Sequence, residues 1–514
     1  MKKFKKSFAL LLTLVMSVSV LAACGNSNSN NNAGTSSSSS SSNTTKTADV
    51  KETPKSEEKF KISMLYPLSG DAPQKSEAWK YLEEKFNVEL DLIATPSSGY
   101  GEKLRLTVAS GELPDLMVWT QYPDPELIKY VRMGAFKQLD DVIKDYPNIM
   151  ETPAQAFENV KIDKKLYSIP RSRPLQTNAT VIRQDWLDNL GLETPKTIDE
   201  FLDVAIKFTT MDPDQNGKHD TFGIGVGESL TYLEQFWMAY DTGNGWIENA
   251  DGTLTSADIS EGRKQAIATL ADLYKQKVID IDFPVTNYTA VAEKFVAGNF
   301  GILIGGAVTT YGQQYLDAKK VNPNAELVMI DPPIGSNGTM GVPQSHGFYG
   351  HWVISNEVSD EKLAKIMEVL DWQATQDALD FKREGIEGVH HNVVNGEIVL
   401  TDQYKTDGVL NLIAHNKFNP YYTTPGAAEE IAQAQLDEWK KIEGLGIANP
   451  AVAALTETMQ EKKADLDKLA MEYFVSVVTG AKSIDTFDAY VADWNAKGGA
   501  KITEEVNAWY KENK

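Results

Sequence analysis

An α/β fold divided into at least two domains is predicted by three features of the chain. Apolar segments alternate as strand, helix, strand, helix, strand between Lys61 and Trp119. Patterns of helical period recur through the later part of the chain. The stretch from about Lys59 to Lys514 is also too long for one hydrophobic core.

Lys61-Ile62-Ser63-Met64-Leu65-Tyr66 reads as a buried strand, and Ser76 to Phe86 as a helix capped by Ser76, with Trp79, Leu82 and Phe86 on one face. Val88 to Ala94 is the next strand. Tyr100 to Ala109 is a second helix, ended near Ser110-Gly111, and Asp115 to Trp119 is a third strand. This succession supplies the crossovers that a parallel sheet needs. Later helices are expected at Thr197 to Phe208, Ser260 to Lys277, Ser359 to Leu379, Ala427 to Lys441, Pro450 to Val478 and Ile484 to Lys497. Trp79, Trp186 and Trp372 lie on amphipathic patterns and are assigned to the core.

Ahead of this body stands a processing segment. Lys2, Lys3, Lys5 and Lys6 precede an apolar run from Phe8 to Val20 that is too short, and flanked wrongly, to span a membrane. Leu21-Ala22-Ala23 then leads into Cys24, the only cysteine of the chain. Small residues before a cysteine suit a lipoprotein signal peptidase, so residues 1–23 are read as signal peptide and Cys24 as the lipidation site. A general secretory signal that happens to contain a cysteine is the alternative. Acyl chains such as palmitate contribute about 0.8 kcal/mol per buried CH₂, and the two of a diacylglycerol suffice to hold a protein on the extracellular face of the cell membrane. Residues 24–58, mostly Asn, Ser, Thr, Ala and Gly early on, lack the apolar set that offsets ordering entropy and form a tether. A coil of roughly thirty residues spans about 30 Å.

The formal net charge of −22 disfavours nucleic acid and anionic membrane surfaces as partners. With Cys24 acylated, no disulfide can form, and stability falls to the core and to any bound ion.

Several strings resemble those of extracellular solute-binding proteins of family 1, the carbohydrate receptors of ABC importers. Ala109-Ser110-Gly111-Glu112-Leu113-Pro114-Asp115 is similar to the family's "ASGELPD". Gly134 to Asp140, Asp163 to Pro170, Arg183 to Gly191 with Pro195 to Phe201, Glu384 to Gly388 and Ile502 to Tyr510 match further family blocks in the same order. The resemblance implies a periplasmic-binding-protein-like α/β fold: two lobes, a hinge, and an inter-lobe cleft that closes on sugar. It implies crossings near Arg171 to Val181, Val328 to Pro333 and Ile413 to Pro425. The N-terminal lobe would then hold 59–174 and 334–412, and the C-terminal lobe 175–333 and 413–514. A monomeric receptor that passes an oligosaccharide to permease subunits, without changing it, is the function implied. A surface glycosidase is the alternative, because carboxylate pairs across distant segments have no spacing rule.

Asp212-Pro213-Asp214-Gln215-Asn216-Gly217-Lys218-His219-Asp220 places oxygen donors at positions one, three, five and nine of an EF-hand-like loop. Gly217 stands at six, and the Lys218 carbonyl at seven. A structural Ca²⁺ is expected on Asp212, Asp214, Asn216, Lys218 and Asp220. Position twelve departs from the pattern, with Gly223 in place of Glu, and Thr221 stands where some calcium-binding relatives carry an acid. A polar turn is the alternative. The pairs His346/His351 and His390/His391 lack partners at zinc spacing.

Sugars rest C–H faces on flat rings and need fixed hydrogen-bonding groups for their hydroxyls. Trp119, at the end of a strand and followed by Gln121 and Tyr122, is the first candidate, with Trp237, Trp246 and Trp352 next. Arg171 and Arg173, at the first crossing, can donate to hydroxyls or to an acidic sugar. Burial in a lobe core competes with sugar contact for each of these.

Replacing Cys24 with Ala is expected to abolish incorporation of labelled fatty acid and to release the protein from membranes. Continued labelling of the variant would place the lipid elsewhere.

Overall fold

The computed structural model describes residues 59–68, 72–176, 178–306, 313–419 and 429–514. Cys24, the signal segment and the tether lie outside them.

The first sheet grows from Phe60–Leu68, whose central residues Met64, Leu65 and Tyr66 are buried, as a strand covered on both faces requires. It pairs in parallel with Val88–Pro96 along its whole length, and with Leu116–Trp119. The crossovers are the helices Glu77–Phe86 and Ser97–Ser110. Each ends on a left-handed residue, Asn87 at φ 50° and Gly111 at φ 77°, which frees the chain to turn back. Ala78, Trp79, Leu82 and Phe86 form the buried stripe of the first helix.

Two antiparallel strands complete this sheet. Phe348–Ile354 lies beside Leu116–Trp119, and Ser168–Ser172 lies outside it. The sheet is therefore mixed rather than parallel throughout. Gly350 marks an irregularity in register between Phe348 and His351. Its φ of 73°, and the Trp119 carbonyl oxygen only 2.9 Å from where a Cβ would stand, require glycine there.

The second sheet has the order Leu327–Ile330, Asn178–Arg183, Phe300–Gly306, Phe222–Gly225, again mixed. Helix Ile198–Thr210 packs on it, started by a capping box in which Thr197 and Glu200 satisfy each other's backbone N–H groups. Helices Glu261–Lys275, Glu457–Val478, Phe487–Trp494 and Ala500–Asn513 extend the apolar cover of that face, and helices Tyr288–Val296 and Gln313–Val321 cover the other. The two sheets have separate cores: Leu65, Met117, Trp352 and Val353 belong to one, and Trp186, Phe201, Phe208 and Tyr473 to the other.

Several sequence expectations shift. The Val328 to Pro333 crossing is largely an edge strand, because Leu327–Ile330 pairs antiparallel with Thr180–Arg183. Ile334 still bonds to Lys196 and Ile198, and Val342 pairs with Gly446, so the chain leaves the second lobe only near Gln344 to Phe348. Thr180 and Val181 are likewise strand residues, which shortens the first crossing to the stretch after Ser172. The helix expected from Ser359 to Leu379 breaks at Ala374, where Thr375 caps a new helix, Gln376–Glu384. The helix expected from Pro450 starts at Glu457, capped by Thr456.

Trp119 is 2% exposed and Trp352 0% exposed, both inside the first core. Trp119 meets Phe136 edge-on with centroids 6.2 Å apart. The register His351↔Trp119 sets the two rings on opposite faces of the sheet, and both faces are covered. Trp119→Ala is accordingly expected to destabilise the unliganded protein by ~3–5 kcal/mol in denaturant unfolding. A loss near zero would mean that the ring does not serve the core.

Candidate functional site

Four basic side chains converge where the crossings leave the first sheet. Arg171, on the outer strand, donates from Nε to the Ala414 carbonyl at 2.8 Å and from Nη1 to the Tyr349 carbonyl at 3.4 Å. Its guanidinium lies 6.0 Å from the centroid of the Trp352 ring. Arg173 begins the first crossing, with its backbone N–H on Gly347 and its guanidinium 5.9 Å from the Tyr349 ring. Lys382, on helix Gln376–Glu384, donates from Nζ to the Ile413 carbonyl at 3.1 Å and to Asn416 Oδ1 at 2.6 Å. His415 is wholly buried in the third crossing.

These groups perturb one another. Burial, with Arg171 and Arg173 nearby, pushes the Lys382 ammonium down to about 8. Burial and the same three cations hold His415 down to about 3, so it is neutral at pH 7. Arg171 is lowered to about 10, by burial first and Arg173 second, and keeps its charge. Among the described residues, no carboxylate forms an ion pair with Arg171, Arg173 or Lys382.

Beside the cluster is a recess of about 410 Å³ lined by residues that include Gln121, Tyr122, His346, Phe348 and Tyr349. Tyr122 stands edge-on to Phe348 and His351, centroids 5.4 and 5.9 Å away, which fixes its ring. Tyr349 is 58% exposed and offers an open aromatic face. A wider cleft of about 890 Å³ runs from Tyr122, Asp124 and Ile128 of the first lobe to Asn449, Pro450 and Trp509 beside the second. Volumes of this size match those of small-ligand sites.

The structure thus brings Gln121, Tyr122, Arg171 and Arg173 into one region and leaves the tryptophans out of it. Trp119 and Trp352 lie beneath that region, in the core. Trp237 packs in the second core under the Arg263 guanidinium, 4.2 Å from its centroid, and Trp246 is buried in the short hairpin with Leu254–Ser256. Tyr349 and Lys382 were missed. Tyr349 sits in the same Phe348 to Trp352 string, and the glycine after it signals the irregularity that keeps its ring outside. Lys382 has no local signal, because its neighbours come from the third crossing.

The Asp212 to Asp220 loop draws its acids together. Asn216 donates from Nδ2 to Asp214 Oδ2 at 2.7 Å and to Asp220 Oδ1 at 3.1 Å, and Gly217 N–H donates to Asp212 Oδ2 at 2.9 Å. Burial first, then Asp212 and Asp220, push the Asp214 carboxyl above its ordinary range. The amide thus bridges oxygens that would suit a hard cation, and a rotated amide presents Oδ1 to the same centre. Thr221 is not a donor to that centre, since its hydroxyl bonds the Phe208 carbonyl at 2.7 Å. Nor can position twelve carry Glu: a Cβ on Gly223 would stand 2.3 Å from the Ala205 carbonyl oxygen.

Residues 77–370 match the family described as bacterial extracellular solute-binding protein. The chain is 30% identical over 479 residues to the polygalacturonan/rhamnogalacturonan-binding protein YtcQ of Bacillus subtilis, covering 91% of this chain and 94% of that one. It is 26% identical to lipoprotein LipO of the same organism, over 88% of this chain and 93% of that one. Among solved structures, a solute-binding protein of Bifidobacterium longum infantis aligns with a TM-score of 0.67 at 16% identity, over 88% of this chain and 98% of that one. Streptococcus pneumoniae FusA, in complex with kestose, aligns with a TM-score of 0.64 at 18% identity, over 88% and 99%. A FusA variant described as an EF-hand mutant aligns equally well. These likenesses establish a two-lobed α/β fold, and the chain belongs to the bacterial extracellular solute-binding protein family.

Proposed function

We propose that this protein is a lipid-anchored receptor that captures an oligosaccharide in the cleft between its lobes and delivers it to the permease of an ABC importer. The observation that carries the reading is the recess of Gln121, Tyr122 and Tyr349 beside Arg171 and Arg173, an open aromatic face next to fixed hydrogen-bond donors. Relatives add to it: YtcQ is named for binding polygalacturonan and rhamnogalacturonan, and FusA is named as a fructooligosaccharide substrate-binding protein. The receptor acts as a monomer held by Cys24, with the tether letting the body reorient. In this reading residues 59–174 and about 348–412 form the N-terminal lobe, and the rest of the body forms the C-terminal lobe. No chemical step is needed, since closure about the hinge is the signal of occupancy.

A structural Ca²⁺ in the Asp212 to Asp220 loop is part of the proposal, supported by the Asn216 amide that links Asp214 to Asp220 and by a solved structure described as an EF-hand mutant, although among the described residues no three acids are yet gathered at metal-binding distance. Asp212, Asp214, Asp220, a rotated Asn216 and the Lys218 carbonyl would hold it.

Oligosaccharide binding is expected to raise stability by about 2.7 kcal/mol at a hundred times the Kd, read as a shift in Tm, and to give a more compact particle in X-ray scattering. Cleavage products after incubation would instead support the glycosidase. Chelation is expected to lower Tm, and Asp214→Ala to remove that response. A melting curve indifferent to thorough chelation would leave the loop as a polar turn.

A further inference from the structure

We infer that Arg171, Arg173 and Lys382 form a seat for the carboxylate of an acidic sugar residue, at the junction of the three crossings. This rests on the oligosaccharide reading and narrows it to uronate-containing chains.

Composition makes the cluster unexpected. Acidic residues outnumber basic ones by 72 to 50, so cations should find carboxylates readily. Elsewhere they do: Arg183 pairs with Asp185, Lys294 with Asp280, and Lys362 with Asp115. Among the described residues, the three cations at the hinge are instead bonded to neutral oxygens. Arg171 meets the carbonyls of Ala414 and Tyr349, Arg173 that of Ser172, and Lys382 the Ile413 carbonyl and the Asn416 amide. Such partners orient the donors but leave three positive charges uncompensated. Buried charge is costly unless it is paired, so a site of this kind gains most from an anion.

The donors left over describe that anion. Arg171 keeps Nη2, Arg173 keeps Nε and Nη2, and none of these is a sealed, partnerless atom. One free guanidinium fork on Arg173, the Nη2 of Arg171 and an ammonium suit a planar group with two oxygens, which accepts side-on from arginine. The ring of Tyr349 stands beside Arg173, and Gln121 lines the same recess. Charge, flat apolar face and amide together fit a pyranose ring bearing a carboxylate better than a free inorganic anion, which would leave the aromatic face unused. The three cations come from a strand end, from the start of the first crossing and from helix Gln376–Glu384, so one bound carboxylate would also relieve repulsion among segments that must move when the lobes close.

Calorimetry on the full body tests this with trisaccharides of galacturonate, glucuronate, mannuronate and guluronate, their methyl esters, neutral trisaccharides and a sulfated trisaccharide. At least one uronate is expected to bind more tightly than its ester by about tenfold or more, the scale of one charged hydrogen bond. Arg173→Gln and Lys382→Gln, both partly exposed and so tolerant of change, should each weaken the acid form by about tenfold and weaken the ester by a clearly smaller factor, so that the acid-to-ester ratio falls. Circular dichroism checks that both variants are folded. Equal affinity for acid and ester, or acid affinity indifferent to both substitutions, overturns the seat while the receptor reading stands. Tighter binding of the sulfated sugar overturns the carboxylate assignment. Failure of every sugar to bind overturns both.

Discussion

The antiparallel strand Phe348–Ile354, laid between Leu116–Trp119 and Ser168–Ser172, is the interaction on which the rest of the molecule depends. It follows the short strand Val342–Pro343, which pairs with Gly446–Ile447, and completes the first sheet, so that sheet is built from distant stretches of chain. Its inward residues, Trp352 and Ile354, finish the first core. Its irregular start, at Gly350, leaves Tyr349 exposed and sets the Tyr349 carbonyl against Arg171. Core, hinge and binding recess therefore share one strand. A change of register there would turn every side chain to the opposite face and dissolve all three together.

The electrostatics of the hinge follow from the same arrangement. Arg171 is buried because its strand is flanked by Trp352, and a guanidinium over an indole is tolerated where an ammonium would be less so. The third crossing closes the site with backbone carbonyls at Ile413 and Ala414 rather than with acids. In a chain so rich in carboxylates, this is a specific withholding of pairing partners. His415, neutral and buried among those cations, adds no fourth charge.

The acidic loop at Asp212 shows how packing limits a familiar pattern. Its first nine positions have room for oxygen donors, while its continuation is already committed to the second lobe. Phe222–Gly225 is a strand of the sheet, and Gly223 fits beneath helix Ile198–Thr210 where no larger residue can stand. Thr221 ties the loop to the end of that helix. Any ion held there is held by the loop alone, anchored between a helix and a strand that the lobe requires anyway.

Local sequence was enough for the first βαβαβ unit, because apolar period and a glycine stop such as Gly111 act within a few positions, although Ser76, expected to cap the first helix, stands at its start without a capping hydrogen bond. It was also enough for the family, through strings such as Ala109 to Asp115, whereas Arg171, expected at a crossing, is a strand residue and only Arg173 follows the strand. What it could not determine were facts of pairing. That Leu327–Ile330 is an edge strand, that Phe348–Ile354 enters the first sheet, and that Lys382 meets Ile413 all depend on contacts between distant segments. The tryptophans show the same limit. An indole at the end of a strand has equal claim to a cleft and to a core on composition alone, and only the face of the sheet on which it falls decides. Trp119 and Trp352 fall on opposite faces of a sheet that is covered on both, and the ring left exposed beside them is Tyr349.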